Sequence, residues 1–339
     1  MIEGGVAADG VALVELWRGA FVECLHRGHA VVANRRGEIV ESWGNPEAVI
    51  LPRSACKMLQ ALPLVESGAA ASADLGSEQL ALACASHNGG AIHTRRVEDW
   101  LAGLGLTDDD LRCGPQTPND TAAREALWNA GRMPAQAHNN CSGKHTGFLT
   151  VTKHVGGGPE YVTPDHPVQV MVRQSFEEMT GETSPGHGID GCSAPNFATT
   201  VRGLATAMAR MADPADQAPS RRRAVEALYH AMVSHPDLVA GDGRACTELM
   251  RAMDGAAAIK TGAEGVFAAI LPGPGLGVAV KIADGATRAS ECAMAALLVR
   301  LGVADPSDPR VLRRLQPRQL NRRGLDTGVL QPAAALAVP

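Results

Sequence analysis

Hydrophobic and polar positions divide the chain into two strand-like ends and a helical middle. Across residues 11–44 apolar residues come in short runs, which predicts strands joined by hairpin turns. The predicted turns are Arg18-Gly19, Arg27-Gly28 and Asn34-Arg35-Arg36-Gly37. From Ser54 the apolar spacing becomes helical, and we expect Pro63 to kink or shorten that helix. Alanine- and leucine-rich helices separated by polar loops are predicted for residues 75–253.

The pattern returns to strands near the carboxyl end. Residues 264–271 and 277–282 flank Pro272-Gly-Pro-Gly, which predicts a hairpin, and a helix is predicted for 286–301. The glycines at 273, 275 and 277 have strand-like sequence on both sides, so they do not open a helix as a dinucleotide-binding loop does. Six arginines between residues 310 and 323 predict a surface extension.

These elements predict the α+β class, with strands from both ends joined in one antiparallel sheet around a helical middle region. We expect a single domain over residues 1–339. Its sheet and flanking helices would come from about 1–50 and 258–305, and its mainly helical part from about 75–253.

Composition excludes several classes of function. The formal net charge is −5, so no overall positive field attracts nucleic acid or acidic membranes. Apolar runs stay far below the roughly 18 residues that indicate a membrane span. The amino-terminal residues lack a basic segment followed by an apolar one, so we expect a cytoplasmic protein rather than an exported one.

Cysteine and lysine usage points to particular positions. The eight cysteines stand singly, which argues against a disulfide scaffold and leaves buried residues, metal ligands or reactive thiols. Only five of the 31 basic residues are lysines: Lys57, Lys144, Lys153, Lys260 and Lys281. An amine can become neutral whereas a guanidinium stays protonated, so a retained lysine can indicate a base. For Lys153 and Lys281 we prefer codon bias as the explanation.

Two short motifs carry candidate catalytic groups. Ser54 and Lys57 have Ser-x-x-Lys spacing at a predicted helix start, where a neutral amine can take the proton of an attacking hydroxyl. The same spacing also describes an N-cap serine followed by a solvated lysine. Lys260-Thr-Gly precedes the predicted strand pair, and Ser86-His-Asn lies between the two motifs, the order found in penicillin-recognising serine enzymes.

A third constellation could bind zinc. Cys141, Cys192, His145 and Lys144 include the thiolate and imidazole groups that zinc prefers, although lysine must lose its proton to bind. Their spacing lacks paired ligand knuckles, so buried structural cysteines remain the other interpretation.

The chain resembles the third, Ser/Lys-type class of L-asparaginases, known as the asparaginase II or thermolabile asparaginase family. The resemblance runs almost end to end and is carried by these segments: His26-Arg-Gly28, Pro52-Arg-Ser-Ala-Cys-Lys57, Leu59-Gln-Ala-Leu-Pro63, Ala83-Cys-Ala-Ser-His87, Cys113-Gly-Pro115, Asn139–Gly147, Asp165-His-Pro-x-Gln169, Asp190-Gly-Cys192 and Lys260-Thr-Gly-Ala-Glu-Gly265.

The resemblance implies a fold like serine β-lactamases and glutaminases, and hydrolysis of L-asparagine to L-aspartate and ammonia. Ser54 with Lys57, and Ser86 with Lys260, would be two catalytic Ser–Lys pairs. A Zn²⁺ site would use Cys141, Lys144 and Cys192. The expected substrate-binding residues are Arg53, His145, Asp190 and Glu264. We also expect a homodimer.

Three departures from the family pattern stand near these motifs. Met58 replaces a usual proline, Asn88-Gly89-Gly90 replaces Ser-Gly-Glu and loses a carboxylate, and Ser193 replaces a usual glycine. A glutaminase, a penicillin-recognising hydrolase and a non-catalytic zinc-binding regulatory protein remain the alternative functions at this stage. One methylene separates asparagine from glutamine, and that difference typically shifts selectivity by only about 1–3 kcal/mol.

Overall fold

The structure is a computed structural model that describes residues 10–337. Within them the strands are β1 (Val11–Arg18), β2 (Phe21–Asn34), β3 (Ile39–Trp43), β4 (Val49–Ile50), β5 (His187–Ile189), β6 (Pro195–Phe197), β7 (Thr199–Thr200), β8 (Ala258–Thr261), β9 (Val266–Leu271), β10 (Leu276–Ile282), β11 (Arg318–Leu320) and β12 (Asp326–Pro332).

Helices fill most of the chain between the strands. They are α1 (Lys57–Gln60), α2 (Leu62–Glu66), α3 (Ala69–Ser72), α4 (Ser77–Ala83), α5 (Ala91–Gly103), α6 (Thr121–Asn129), α7 (Ser142–Val155), α8 (Pro167–Thr180), α9 (Val201–Ala212), α10 (Pro219–Ser234), α11 (Pro236–Val239), α12 (Ala245–Ala252), α13 (Thr287–Arg300) and α14 (Pro309–Leu315). Short 3₁₀ segments cover Arg53–Cys56, Asp108–Asp110, Gln136–His138 and Ala334–Leu336.

One large antiparallel sheet organises the fold. Its order is β11-β12-β1-β2-β10-β9-β8, with β3 paired to the far part of β2. Strands from both ends of the chain therefore meet in one sheet around a helical middle, and the predicted α+β class is confirmed. β8 lies at one edge of this order, beside the helical region.

Helices cover both faces of the central strands. Every residue of β9 is buried, so neither face of that strand reaches solvent. α9 packs along β2, β9 and β10, while α13 packs against β1, β9, β10 and β12. No helix in residues 10–337 has the length and apolar character needed to cross a membrane.

The predicted turn at Arg27-Gly28 is wrong. β2 runs unbroken through both residues, and Gly28 pairs with Val11 on one side and Ile282 on the other. A Cβ on Gly28 would lie 2.1 Å from the Lys281 carbonyl oxygen, so this glycine permits close strand contact rather than a turn. The predicted turns at Arg18-Gly19 and 34–37 are confirmed.

The arginine-rich tail is more than a surface extension. It forms α14, and β11 and β12 follow it into the main sheet beyond the expected limit at residue 305. β12 pairs with β1 and buries Leu330. Without β12, the backbone of β1 would present an open edge to solvent.

Two helical predictions need smaller corrections. The helix expected from Ser54 is divided into a 3₁₀ segment, α1 and α2, and Pro63 occupies the first turn of α2, where its missing N–H is tolerated. The helical middle also contains β5, β6 and β7. Those strands are only two or three residues long, too short to show a period in the sequence.

The glycines at 273, 275 and 277 belong to the predicted β9–β10 hairpin, which is confirmed. Gly277 has a second role, because the backbone of β10 touches α9 at this point. A Cβ there would lie 2.1 Å from the Ala205 oxygen and 2.2 Å from the Ala209 nitrogen. Neither backbone atom can move without displacing the helix.

We expect Gly277→Ala to lower the free energy of unfolding by at least about 3 kcal/mol, because the added methyl group forces α9 off the sheet. Gly273→Ala is the matched control, since nothing lies within 4 Å of its Cβ position. Urea unfolding of both variants tests this. Equal stability of the two variants would contradict close packing at Gly277.

Candidate active site

Several predicted site residues meet at one cavity. The cavity has a volume of about 180 Å³, and its lining includes Arg53, Ser54, Cys141, Asp190 and Cys192. These residues come from the 3₁₀ segment at 53–56, the start of α7 and the loop after β5. The remaining predicted residues lie beside or behind this lining.

Ser54 is the serine on the cavity wall. Its side chain is half-buried and has no hydrogen-bond partner within residues 10–337. Lys57 lies one turn further along but its amine does not bond to Ser54. The amine donates to the Ala85 carbonyl, to Ser86 Oγ at 3.0 Å and to Cys141 Sγ at 3.1 Å. The predicted Ser54–Lys57 pair therefore shares a helix start without a direct hydrogen bond.

Ser86 connects two buried lysines. It follows α4, and its hydroxyl lies 3.0 Å from Lys57 Nζ and 2.8 Å from Lys260 Nζ. All three residues are at least 95% buried. The structure thus brings the predicted pair Ser86 and Lys260 together, and it places Lys57 on the same hydroxyl.

Lys260 is held in a setting that favours the neutral amine. It lies on β8 and also donates to the Thr261 carbonyl at 2.7 Å. Burial lowers the pKa of Lys260 to about 7; Cys246 opposes this shift and the charge on Lys57 adds to it. An amine with this pKa can accept a proton near neutral pH.

A charged pair borders the cavity. Arg53 donates to Asp190 Oδ1 through Nε at 3.0 Å and Nη2 at 2.7 Å, and its Nη1 lies 3.8 Å from Glu264 Oε1. Burial raises the pKa of Asp190, but the hydrogen bonds from Arg53 and the charge of Lys144 outweigh it and hold the pKa below its usual value. Asp190 is therefore an anion at neutral pH.

Two cysteines and a lysine that the sequence suggested as zinc ligands, Cys141, Cys192 and Lys144, lie together beside the cavity. Lys144 Nζ lies 3.2 Å from Cys192 Sγ, and the Cys141 thiol donates to Asn140 Oδ1 at 2.9 Å. Interaction with the Cys141 thiol and the charge of Lys144 hold the pKa of Cys192 well below its usual value despite burial. Two sulfurs and one amine suit zinc.

Zinc binding by Cys141, Cys192 and Lys144 would need the lysine as a ligand. In residues 10–337 no group of three His, Cys, Asp or Glu side chains could hold a metal ion. Burial lowers the pKa of Lys144, but the charges of Cys192, Cys141 and Asp190 raise it above its usual value. Metal binding at these residues would therefore release a proton from Lys144.

His145 lies away from the cavity surface. It is fully buried on α7, and its Nδ1 is 2.9 Å from the Tyr161 hydroxyl. Burial holds its pKa well below the usual value, so the ring is neutral. Its Nε2 is buried without a partner in the described part of the chain. His145 therefore contacts the ring of Tyr161 instead of lining the cavity as a substrate-binding residue would.

Five cavity residues were not predicted as site residues: Gln116, Asn139, Asn140, Gly191 and Ala263. Four of these residues stand inside motifs that carried the family resemblance: Asn139, Asn140, Gly191 and Ala263. The motifs therefore indicated that this part of the chain lies near the site. Gln116 lies in the loop that directly follows the Cys113-Gly-Pro115 motif, but nothing in the sequence marked its own side chain as a site residue. Only the fold brings that loop to the cavity.

The segment after Ser86 contacts neighbouring loops of the fold. Asn88 accepts from Arg244 at 2.9 Å and donates to the Asp242 carbonyl at 3.3 Å, so its amide faces a neighbouring loop. At Gly90, where the family usually has glutamate, a Cβ would lie 3.1 Å from the Asp120 carboxylate. The Asp120 carboxylate lies beside Gly90 and caps α6, where its Oδ1 accepts from the Ala123 N–H at 2.8 Å.

Backbone strain is concentrated beside the cavity. Arg53, Ser193 and Glu264 have φ of 52°, 69° and 57°, the left-handed region that disfavours side chains. Ser193 stands where the family usually has glycine. Its exposed side chain forms no hydrogen bond within residues 10–337, while its N–H donates to the Asp190 carbonyl at 2.8 Å. The turn geometry explains why glycine is usual there.

We expect Ser193→Gly to raise the free energy of unfolding by about 1 kcal/mol, because glycine adopts this backbone conformation without the Cβ clash. Ser72→Gly at the end of α3 is the control and should be destabilising, since that serine has ordinary helical φ. Urea unfolding measures both changes. A loss of stability in Ser193→Gly would contradict the strain.

The solved structures that match the chain include two of low sequence identity. A candidate beta-lactamase from Bacteroides dorei DSM 17855 has a TM-score of 0.43 and 11% identity, covering 75% of this chain and 84% of that chain. A beta-lactamase from Mycobacterium bovis has a TM-score of 0.39 and 15% identity, covering 80% of this chain and 93% of that chain. Similarity at this level says nothing about the activity of the chain.

Comparison with protein families is more informative. No curated protein sequence matches the chain. The profile of the family described as L-asparaginase II, in contrast, matches residues 14–332, which include every predicted site residue. Because this match spans nearly the whole sequence, the chain belongs to the L-asparaginase II family and is an amidohydrolase.

Proposed function

We propose that the chain hydrolyses the side-chain amide of L-asparagine to L-aspartate and ammonia through an acyl-enzyme. The observation that carries the proposal is the arrangement of two serines and two lysines. Ser54 presents a hydroxyl without a partner to a cavity of about 180 Å³, and behind it Lys57 and Lys260 both bond to Ser86. A nucleophile at a cavity and a buried base are the two groups that acyl transfer needs.

Ser54 acts as the nucleophile in this mechanism. Its hydroxyl oxygen attacks the amide carbon, forms the ester bond of the acyl-enzyme and releases ammonia. Lys57 is the nearest lysine along the chain, but its amine points to Ser86. Catalytic hydrogen bonds often tighten only when substrate is bound, so Lys57, once it has given a proton to Ser86, need only turn from Ser86 to Ser54 to take the proton of the attacking hydroxyl.

Ser86 and Lys260 receive the proton that Lys57 must give up before its amine can act as the base. With the Lys57 ammonium donating to Ser86 Oγ, the hydroxyl hydrogen of Ser86 is free to point to the Lys260 amine. Lys260 is neutral in a large fraction of molecules near pH 7 because burial lowers its pKa. The three groups can therefore move one proton from Ser54 to Lys260 and return it to the leaving ammonia.

The Arg53–Asp190 pair supports binding of an amino acid. A free amino acid carries one ammonium and one carboxylate, and the cavity wall offers one carboxylate and one guanidinium that already hold each other in place. Glu264 lies at 3.8 Å from the same guanidinium. His145 would act behind this layer by packing against Tyr161 and Phe148, rather than by touching the substrate.

Zinc binding is part of the proposal as a separate element. Cys141, Lys144 and Cys192 would hold the ion, which would supply a Lewis acid or a structural cross-link beside the cavity. From the family resemblance we further propose a cytoplasmic homodimer.

A first test compares ammonia release from L-asparagine and L-glutamine by the wild type with release by Ser54→Ala and Ser86→Ala, each with and without added zinc. We expect Ser54→Ala to lose at least about 1,000-fold in kcat, because the nucleophile is removed. Intact-mass analysis of acid-quenched reactions should detect an acyl adduct in wild type and none in Ser54→Ala. An adduct that survives in Ser54→Ala and disappears in Ser86→Ala would reverse the roles.

A second test addresses Lys260. We expect kcat/KM of the wild type to rise with pH through about 7 and then level, since the neutral amine is the active form. Lys260→Met should lose about 100- to 10,000-fold in kcat. The surface variant Lys153→Met is the control and should keep the wild-type profile.

The variant Lys260→Met should be more stable than the wild type at neutral pH. Folding lowers the pKa of Lys260 to about 7. Between that pH and the ordinary lysine pKa the unfolded chain therefore binds more protons than the folded one, so the wild type gains stability as the pH rises. The stability that the wild type loses by burying Lys260 is largest below pH 7. Lys260→Met should therefore gain on the order of 1 kcal/mol at pH 7 and less toward pH 10. A gain that grows with pH would contradict the lowered pKa.

A further inference from the structure

The amide of Gln116 is held at one end and unengaged at the other. Its Oε1 accepts from the backbone N–H of Asn140 at 3.1 Å. A backbone N–H can only donate, so the oxygen must face Asn140 and the amide nitrogen must face away. That nitrogen has no acceptor within residues 10–337, and Gln116 lines the cavity beside Ser54.

The loop that carries Gln116 is fixed in place. Upstream of it, the Gly114 N–H donates to Gln136 Oε1 at 2.9 Å, and Asn139 Nδ2 donates to the Cys113 and Gly114 carbonyls, both at 2.9 Å. Downstream of it, the Asp120 N–H donates to the Asn88 carbonyl at 3.0 Å. The Gln116 amide is therefore oriented before any ligand arrives, which lowers the entropy lost on binding.

The charged donors at and behind the cavity are already engaged, whereas the Ser54 hydroxyl and the side-chain amide nitrogen of Asn140 also have no acceptor within residues 10–337. Arg53 gives two N–H groups to Asp190, and its third nitrogen faces Glu264 at 3.8 Å. The Lys57 and Lys260 amines are directed to Ser86. A carboxylate entering the cavity thus meets a guanidinium shared by two acidic side chains, and an amide nitrogen that still needs an acceptor.

We propose that Gln116 donates a hydrogen bond to the α-carboxylate of the substrate and thereby restricts the reaction to amides that carry this group. This inference rests on the proposed asparaginase function. The bond persists from the bound substrate to the acyl-enzyme, because the α-carboxylate does not react. Its loss therefore acts mainly on KM, while kcat changes little.

Two variants and two substrate analogues test the assignment. Gln116→Glu keeps an oxygen for the Asn140 N–H but removes the donor and adds a negative charge, and Gln116→Met removes both polar atoms. Succinamic acid is L-asparagine without the amine, and 3-aminopropanamide is L-asparagine without the α-carboxylate. Each is used as a competitive inhibitor of ammonia release from L-asparagine, so neither analogue has to be hydrolysed.

For Gln116→Glu we expect KM for L-asparagine and Ki for succinamic acid to rise together by about 10- to 100-fold, the usual effect of losing a hydrogen bond to a charged group. Ki for 3-aminopropanamide should stay within about twofold of the wild type. Gln116→Met should show the same pattern with a smaller rise, because it adds no repulsion. Asn129→Asp, an exposed amide at the end of α6, controls for the added charge.

Other results would overturn the inference. An equal rise in Ki for both analogues would mean that Gln116 only shapes the cavity, and an unchanged KM for L-asparagine would remove it from substrate binding. If the wild type released no ammonia from L-asparagine, the proposed function would fail first and take this inference with it. Thermal unfolding of each variant separates these outcomes from a loss of folding.

Discussion

The site depends on keeping two lysines out of water around one hydroxyl. Lys57 and Lys260 are each 99% buried, and a buried ammonium is costly unless acceptors surround it. The acceptors are the Ala85 and Thr261 carbonyls, the Cys141 sulfur and Ser86 Oγ. These groups come from the segment after α4, the residue before α7, and β8. Burial, with a smaller contribution from the charge of Lys57, favours the neutral form of Lys260 and makes it a proton acceptor near neutral pH.

The sheet provides the rigid support for this arrangement. β8 carries Lys260 and is paired only with β9 in the sheet, so its other side is open to the helical region that supplies Ser86 and Cys141. Close backbone contacts fix the sheet against its helices, most tightly where Gly277 touches α9. The strained residues Arg53, Ser193 and Glu264 lie beside the cavity, where packing of the surrounding fold holds them in conformations that a free loop would avoid.

Periodicity predicted the long elements, and tertiary contacts decided the exceptions. The β9–β10 hairpin and the helix at α13 followed from the apolar pattern and the turn residues. Gly28 was misinterpreted because glycine permits both a turn and close strand contact, and only the position of Lys281 decides between them. β12 was not predicted because it is held in the sheet by pairing with β1, which lies some 300 residues earlier in the chain.

The sequence by itself determined the family, the scarce lysines and the motif residues, since these are properties of residue identity and spacing. It could not decide which serine meets which lysine. Lys57 is three residues from Ser54, yet its amine reaches Ser86, because a long flexible side chain follows the acceptors that burial places around it. Gln116 follows the Cys113-Gly-Pro115 motif, but its residue type and position did not indicate its role. Its role depends on one backbone N–H that the fold brings to its oxygen, leaving the amide nitrogen at the cavity.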